Sequence, residues 1–148
     1  MRSAIILCAA AAGLIGCARR WLTIATVRGG SMMPTLSNGQ RVLAQRCRRY
    51  RVDDIIVFHT PHRIAAVGDP AYRVKRIAAT AGHPLPPALR GAGLPATVPP
   101  GHLAVLGDAA NSEDSRHLGL VPRSAIVGRV RRDGCRAGAV LDRRADQS

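Results

Sequence analysis

The sequence predicts a mostly β domain, on three observations. Beyond Arg20 the apolar residues come in short runs rich in Val, Ile and Leu, separated by turn residues: WLTIATV, RVLAQ, DIIVFHT, YRVKRIAA, HLAVLGD and AIVGRVR. Runs of this length bounded by turn chemistry are the pattern of strands, and no window of a dozen residues shows a convincing helical stripe. Ser37-Asn38-Gly39-Gln40 sets Asn-Gly between Thr35-Leu36 and Arg41-Val42-Leu43, the strongest short hairpin signal. A chain of 148 residues has room for one such domain with a modest core, and not for two.

The first element stands apart from this pattern. Residues 3–18, SAIILCAAAAGLIGCA, are apolar and uncharged and end at Arg19-Arg20. Sixteen residues fall short of the about 20 that span a bilayer and are nearer to a signal-peptide core. Extension into WLTIATV takes two arginines through or near the interface. Leu14-Ile15-Gly16-Cys17 resembles the bacterial lipobox, in which the Cys is lipidated and becomes the mature N-terminus. An uncleaved anchor and a lipidated Cys17 therefore stay open, and both deliver the chain to a membrane. The expected division is an anchor over 1–20, a β-rich domain over 21–132 and a polar tail over 133–148, open to disorder. Inside the domain, GHPLPPALRGAGLPATVPPG (82–101) holds six of the ten prolines and four glycines. Residues 83–101 read as a long, irregular surface loop.

The net charge of +13 and a pI near 11.5 raise nucleic acid or an anionic membrane surface as partners. The arginines are spread over the whole chain, with small clusters at 47–51 and Arg129–Arg132, and aromatics are 3%. That is too few for a base-stacking platform, so no nucleic-acid face is expected. Most of the charge reads as solvated surface, with attraction to anionic lipid head groups a second use. Arg19-Arg20 do not by themselves settle the orientation of the anchor. Of four cysteines, Cys8 and Cys17 fall in the apolar segment, and Cys47 and Cys135 lie in the body. The latter two could pair outside the cytoplasm, but unrelated thiols are the preferred reading. With no C-x-x-C and no histidines at ligand spacing, neither a metal nor a cofactor is expected.

Three stretches carry side chains suited to chemistry. YRVKRIAAT (72–80) holds the only lysine among 22 basic residues. A guanidinium keeps its proton, whereas a desolvated ammonium can lose it and act as a base, so Lys75 is a chemical suspect. A base needs a nucleophile, and seven serines offer candidates. Ser31 sits in Gly29-Gly30-Ser31-Met32-Met33-Pro34-Thr35, where glycines bring bare backbone N–H groups beside a hydroxyl. The stretch is neither a Walker loop nor a G-x-S-x-G elbow. The third stretch, 107–116, gathers acids, hydroxyls and an arginine after LAVL. It reads as a solvated turn or as a scaffold that orients a lysine and pins a loop by an Asp-Arg pair.

Together the three stretches resemble the type I signal peptidase family. GSMMPTL (30–36) is similar to its nucleophile box, VKRIAATAGH (74–83) to its lysine box and GDAANSEDSRHLGLVP (107–122) to its third box, in that order. The resemblance runs from Trp21 to Val130. It implies a small antiparallel β-sheet or barrel-like catalytic domain behind one N-terminal anchoring helix. It implies Ser31 as nucleophile, Lys75 as general base and Ser112 as the hydroxyl that orients the lysine, with Asp108–Arg76 and Asp114–Arg116 as supporting ion pairs. Val27, Gly29, Met32, Leu36 and Val74 would line shallow apolar pockets for small side chains. Where many members carry an oxyanion-hole serine, this chain has Gly29, which leaves that work to backbone N–H. The implied activity is a membrane-bound Ser-Lys endopeptidase, with its catalytic domain on the extracytoplasmic side, that cuts signal or leader peptides of exported proteins after small residues in an Ala-x-Ala-like context. The implied partners are those preproteins and membrane lipids, with the enzyme a monomer. Two other readings stand beside it: a relative of the LexA-type self-cleaving Ser-Lys proteins, and a basic lipoprotein that binds an anionic partner without chemistry.

Overall fold

The structure, a computed structural model, describes residues 21–60 and 70–131. The apolar segment 3–18 with Cys17, the tail 133–148 and Cys135 lie outside them. The described chain forms β1 (Leu22–Thr26), β2 (Arg41–Gln45), β3 (Ile55–His59), β4 (Tyr72–Thr80), β5 (His102–Leu106), a one-turn helix α1 (Ser115–Leu118), β6 (Val121–Pro122) and β7 (Ile126–Val130). Single 3₁₀ turns lie at Pro87–Leu89 and Arg123–Ala125. Among the described residues no helix is long and apolar enough to cross a membrane.

All seven strands join one antiparallel sheet in the order β1-β2-β7-β3-β4-β5-β6. No ladder joins β6 to β1 among the described residues, so the sheet is open at both edges. Successive side chains of a strand point to opposite faces, and the central strand β3 shows the result. Val57 packs in one apolar cluster with Val27, Met32, Leu36, Val42 and Val74. Its neighbours Ile56 and Phe58 pack in another with Ile77, Val105, Val121 and Ile126. Both faces of β3 are covered, so its run is continuously apolar rather than alternating. β7 crosses β2 closely at Gly128, where a Cβ would stand 2.8 Å from the Gln45 carbonyl carbon. Any larger residue would pry the two strands apart.

Two connections carry more structure than the sequence suggests. Residues 82–101 form a long, mostly exposed connection, as expected, with only a 3₁₀ turn and an isolated bridge, but it folds back on itself as a flap. Gly82 N donates to Val98 O (2.9 Å), Val98 N to His83 O (3.0 Å) and Leu85 N to Ala96 O (3.0 Å). Leu85, Leu89 and Val98 then pack with Ala79 and Ala104 in a third core. The prolines lie between these apolar residues. Asn38-Gly39 is likewise no simple hairpin between strands, because Thr35 and Leu36 belong to a turn, with Leu36 N bonded to Met32 O (2.9 Å). β1 and β2 close directly below it through Val27 N to Gln40 O and Gly39 N to Val27 O, both 2.8 Å. Residues 28–39 thus rise as one compact excursion carrying Ser31.

Candidate active site

Lys75 lies in the middle of β4, opposite Ile56 of β3, and is 2% exposed. Its Nζ donates to Ser112 Oγ at 2.7 Å, and Ser112 is itself buried. Burial disfavours the ammonium and is the main reason that the lysine is lowered from 10.5 to about 8. Arg73 and Arg116 push the same way, and Asp114 and Glu113 oppose them. Ser31 faces the same small cleft of about 70 Å³, whose lining includes Val27, Arg28, Arg73 and Val74. The two side chains share that cleft without a hydrogen bond between them, as the Lys75 ammonium is held on Ser112.

The excursion that carries Ser31 is fixed from three sides. Gly29 adopts φ +78°, a region open to glycine without strain, and its N–H donates to Asn38 Oδ1 at 2.9 Å. That N–H is engaged, so Gly29 shapes the turn and offers no oxyanion donor. The N–H groups of Gly30, Ser31 and Met32 have no backbone partner among the described residues. The Ser31 carbonyl accepts from Ala109 N at 3.1 Å, which ties the turn to the 107–116 stretch. Below it Met32 and Leu36 are wholly buried in the core, so they anchor the turn and do not line the cleft. Val27 and Val74 do line it.

The ion pairs tie these stretches together. Arg76 grips Asp108 with two bonds, Nε to Oδ1 at 2.8 Å and Nη2 to Oδ2 at 2.7 Å, and reaches Thr35 Oγ1 at 3.3 Å. One guanidinium so joins the lysine strand, the third stretch and the serine turn. That hydrogen bond is the chief reason the Asp108 carboxyl sits below its ordinary value. Asp114 is fully buried. Burial alone would raise its carboxyl, but bonds from the Arg116 side chain, Gly107 N–H and Arg116 N–H outweigh it and leave the group lowered. Asp114 also caps α1, and buried Ser115 accepts from Val105 N at 2.8 Å. Gly107 has to be glycine, because a Cβ there would overlap the Ser112 side chain and stand 2.6 Å from the Ser31 carbonyl.

Of the residues singled out in the sequence, Ser31, Lys75, Val27 and Val74 lie at the cleft, Ser112 behind the lysine, Arg76, Asp108, Asp114 and Arg116 in the frame, and Gly29, Met32 and Leu36 in the serine turn and the core beneath it. Sequence reasoning did not foresee the contacts of Thr35, Asn38, Gly107 and Ser115 or the Arg73–Glu113 pair at 2.8 Å. Cys47 is a free thiol whose Sγ contacts the Gln45 carbonyl at 3.3 Å. Among the described residues no cluster of potential metal ligands occurs.

The chain is similar to known proteins. The mitochondrial ATP-independent inner membrane protease subunit 1a of Arabidopsis thaliana is 35% identical over 115 residues, which cover 70% of this chain and 65% of the relative's length. The model of the family described as signal peptidase, peptidase S26, matches residues 1–86 and 85–132, close to the whole of the described domain. On that match the chain belongs to the signal peptidase family, peptidase S26.

Proposed function

We propose that the chain is a membrane-bound serine endopeptidase that removes signal or leader peptides from exported proteins by cutting after small residues. The observation that carries the reading is the lone lysine: buried, lowered to about 8, bonded to Ser112 and sharing a cleft with Ser31. In its neutral form Lys75 Nζ takes the Ser31 hydroxyl proton as the oxygen attacks the scissile carbonyl. The unengaged N–H groups of the turn receive the developing oxyanion. Lys75 then returns the proton to the leaving amine, and an ester on Ser31 remains. Water loses a proton to Lys75 as it attacks that ester, which frees the carboxyl product and restores the serine. Ser112 aims the lysine, while Arg76 with Asp108 and Arg116 with Asp114 keep the three stretches in register.

Substrate reaches this site at an unpaired edge. Among the described residues β1 pairs on one side only, and Ala25 to Arg28 border the cleft, so an extended peptide can add to it as a strand. The cleft is small and walled by Val27 and Val74, which favours side chains such as Ala or Gly before the cut. In the cell the segment 1–20 holds the chain in the membrane as an uncleaved anchor, with the domain 21–132 on the extracytoplasmic side. The enzyme acts as a monomer on preproteins at the bilayer surface. Support for the membrane comes from the apolar run 3–18 and from the relative's description as an inner membrane protease subunit. Cleavage of a peptide library is the test. Enrichment of Ala or Gly immediately before the cut, with small aliphatics two before it, is expected; a dominant preference for basic or aromatic residues there contradicts the reading.

A further inference from the structure

A second cavity among the described residues is larger than the cleft. It measures about 290 Å³ and is lined by Trp21, Arg46, Cys47 and Arg48. Arg46 N donates to the Trp21 carbonyl at 2.8 Å, so the start of β1 and the end of β2 are bonded into one rim. Trp21 is 45% exposed, and Arg46 and Arg48 are exposed beside it. Among the described residues no carboxylate pairs with either guanidinium. An apolar ring and two unneutralised forks in one cavity match a ligand with a phosphate at one end and an apolar body at the other. Free phosphate would use only half of this lining.

The position in the chain selects the source. Trp21 follows the apolar run 3–18 by three residues, a reach of at most about 10 Å. If that run is held in the bilayer, Trp21 stands at head-group level, where indole rings are enriched. The catalytic cleft begins at the other end of β1, about 17 Å away along five residues. We propose that Trp21, Arg46 and Arg48 bind the head group of an anionic phospholipid at the point where the chain leaves the bilayer. Guanidinium forks suit phosphate geometry, and a contact here fixes the tilt of β1, hence the height of the cleft above the membrane. The inference rests on the membrane anchoring of the proposed function.

Trp21 is the only tryptophan of the chain, so its fluorescence reads this cavity alone. The experiment reconstitutes the full chain in vesicles of mixed phosphatidylglycerol and phosphatidylcholine. Bromine is carried on the acyl chains of one lipid or the other at equal mole fraction. Quenching by the brominated phosphatidylglycerol is expected to be at least about twofold stronger than by the brominated phosphatidylcholine, from local enrichment of the anionic lipid. In Arg46→Gln/Arg48→Gln the two should quench alike. Equal quenching in the wild type overturns the proposal and leaves the anchor intact. No quenching by either lipid overturns both it and the membrane reading. A preference that survives in the double variant assigns the lipid to other basic residues and overturns this site. Should the double variant fail to fold, salt decides with the wild type alone: the preference should fall as salt rises, and one indifferent to salt contradicts guanidinium–phosphate contacts.

Discussion

Lys75 is where this chain abandons arginine, which serves at the other 21 basic positions. A guanidinium buried beside Ser112 would stay charged under all conditions and could not act as a base. The lysine pays for that ability in stability. Its pKa is 10.5 when unfolded and about 8 when folded, so between those values the unfolded chain holds one proton more and stability rises with pH. Below pH 8 the penalty is complete, on the order of 3 kcal/mol for a shift of this size. Lys75→Met, which is apolar and of similar length, should therefore be inactive yet more stable than the wild type at pH 7. The gap should close as pH rises from 8 to 10.5. Urea unfolding of both proteins across that range checks this, and a Met variant no more stable at pH 7 would contradict the burial argument. The catalytic profile follows the same proton: the rate should climb with pH through about 8 as Lys75 becomes neutral. Among single residues, Lys75 was legible because its rarity is a property of the sequence. Thr35, Asn38 and Ser115 were not, since each is defined by a partner that only folding brings near.

The six longest strands were legible at the scale of elements because each is a Val-, Ile- or Leu-rich run between turn residues. β6 and α1 were not, as two residues and one turn are too short to show a period. The flap 82–101 shows the limit more sharply. Its prolines and glycines signal a loop, but Leu85, Leu89 and Val98 recur between them and fill a core of their own. Turn chemistry hides such spacing, which follows neither strand nor helix. Asn38-Gly39 misleads in the same manner: the pair closes the Ser31 excursion, and Asn38 holds Gly29 in place. The tightest junction between elements is Gly107, at the end of β5. Gly107→Ala would force Ser112 away from the lysine and press on the Ser31 carbonyl. A loss of activity of at least about tenfold is expected from such a displacement, greater than any loss of thermal stability explains. Kinetics and thermal unfolding of that variant, side by side, provide the check; an unchanged rate would show that Ser112 does not position Lys75.

The described domain is arranged along β1, with the apolar run 3–18 preceding one end in sequence and the serine excursion leaving the other. The open antiparallel sheet supports this line from behind, and three stretches distant in sequence meet in front of it through Arg76, Asp108 and Thr35. Their order along the chain was readable, and with it the family. How they interlock was not, because the bonds join β4 to two separate loops. Central to the account is that Lys75 moves the proton of Ser31. The most direct measurement is peptide cleavage by wild type, Lys75→Arg and Ser31→Ala at matched, verified folding. The account predicts that Lys75→Arg loses at least about 10²- to 10⁴-fold in rate, the range of general-base catalysis, and approaches the Ser31→Ala background. An arginine variant that retains near wild-type rate would contradict it and remove Lys75 from the mechanism.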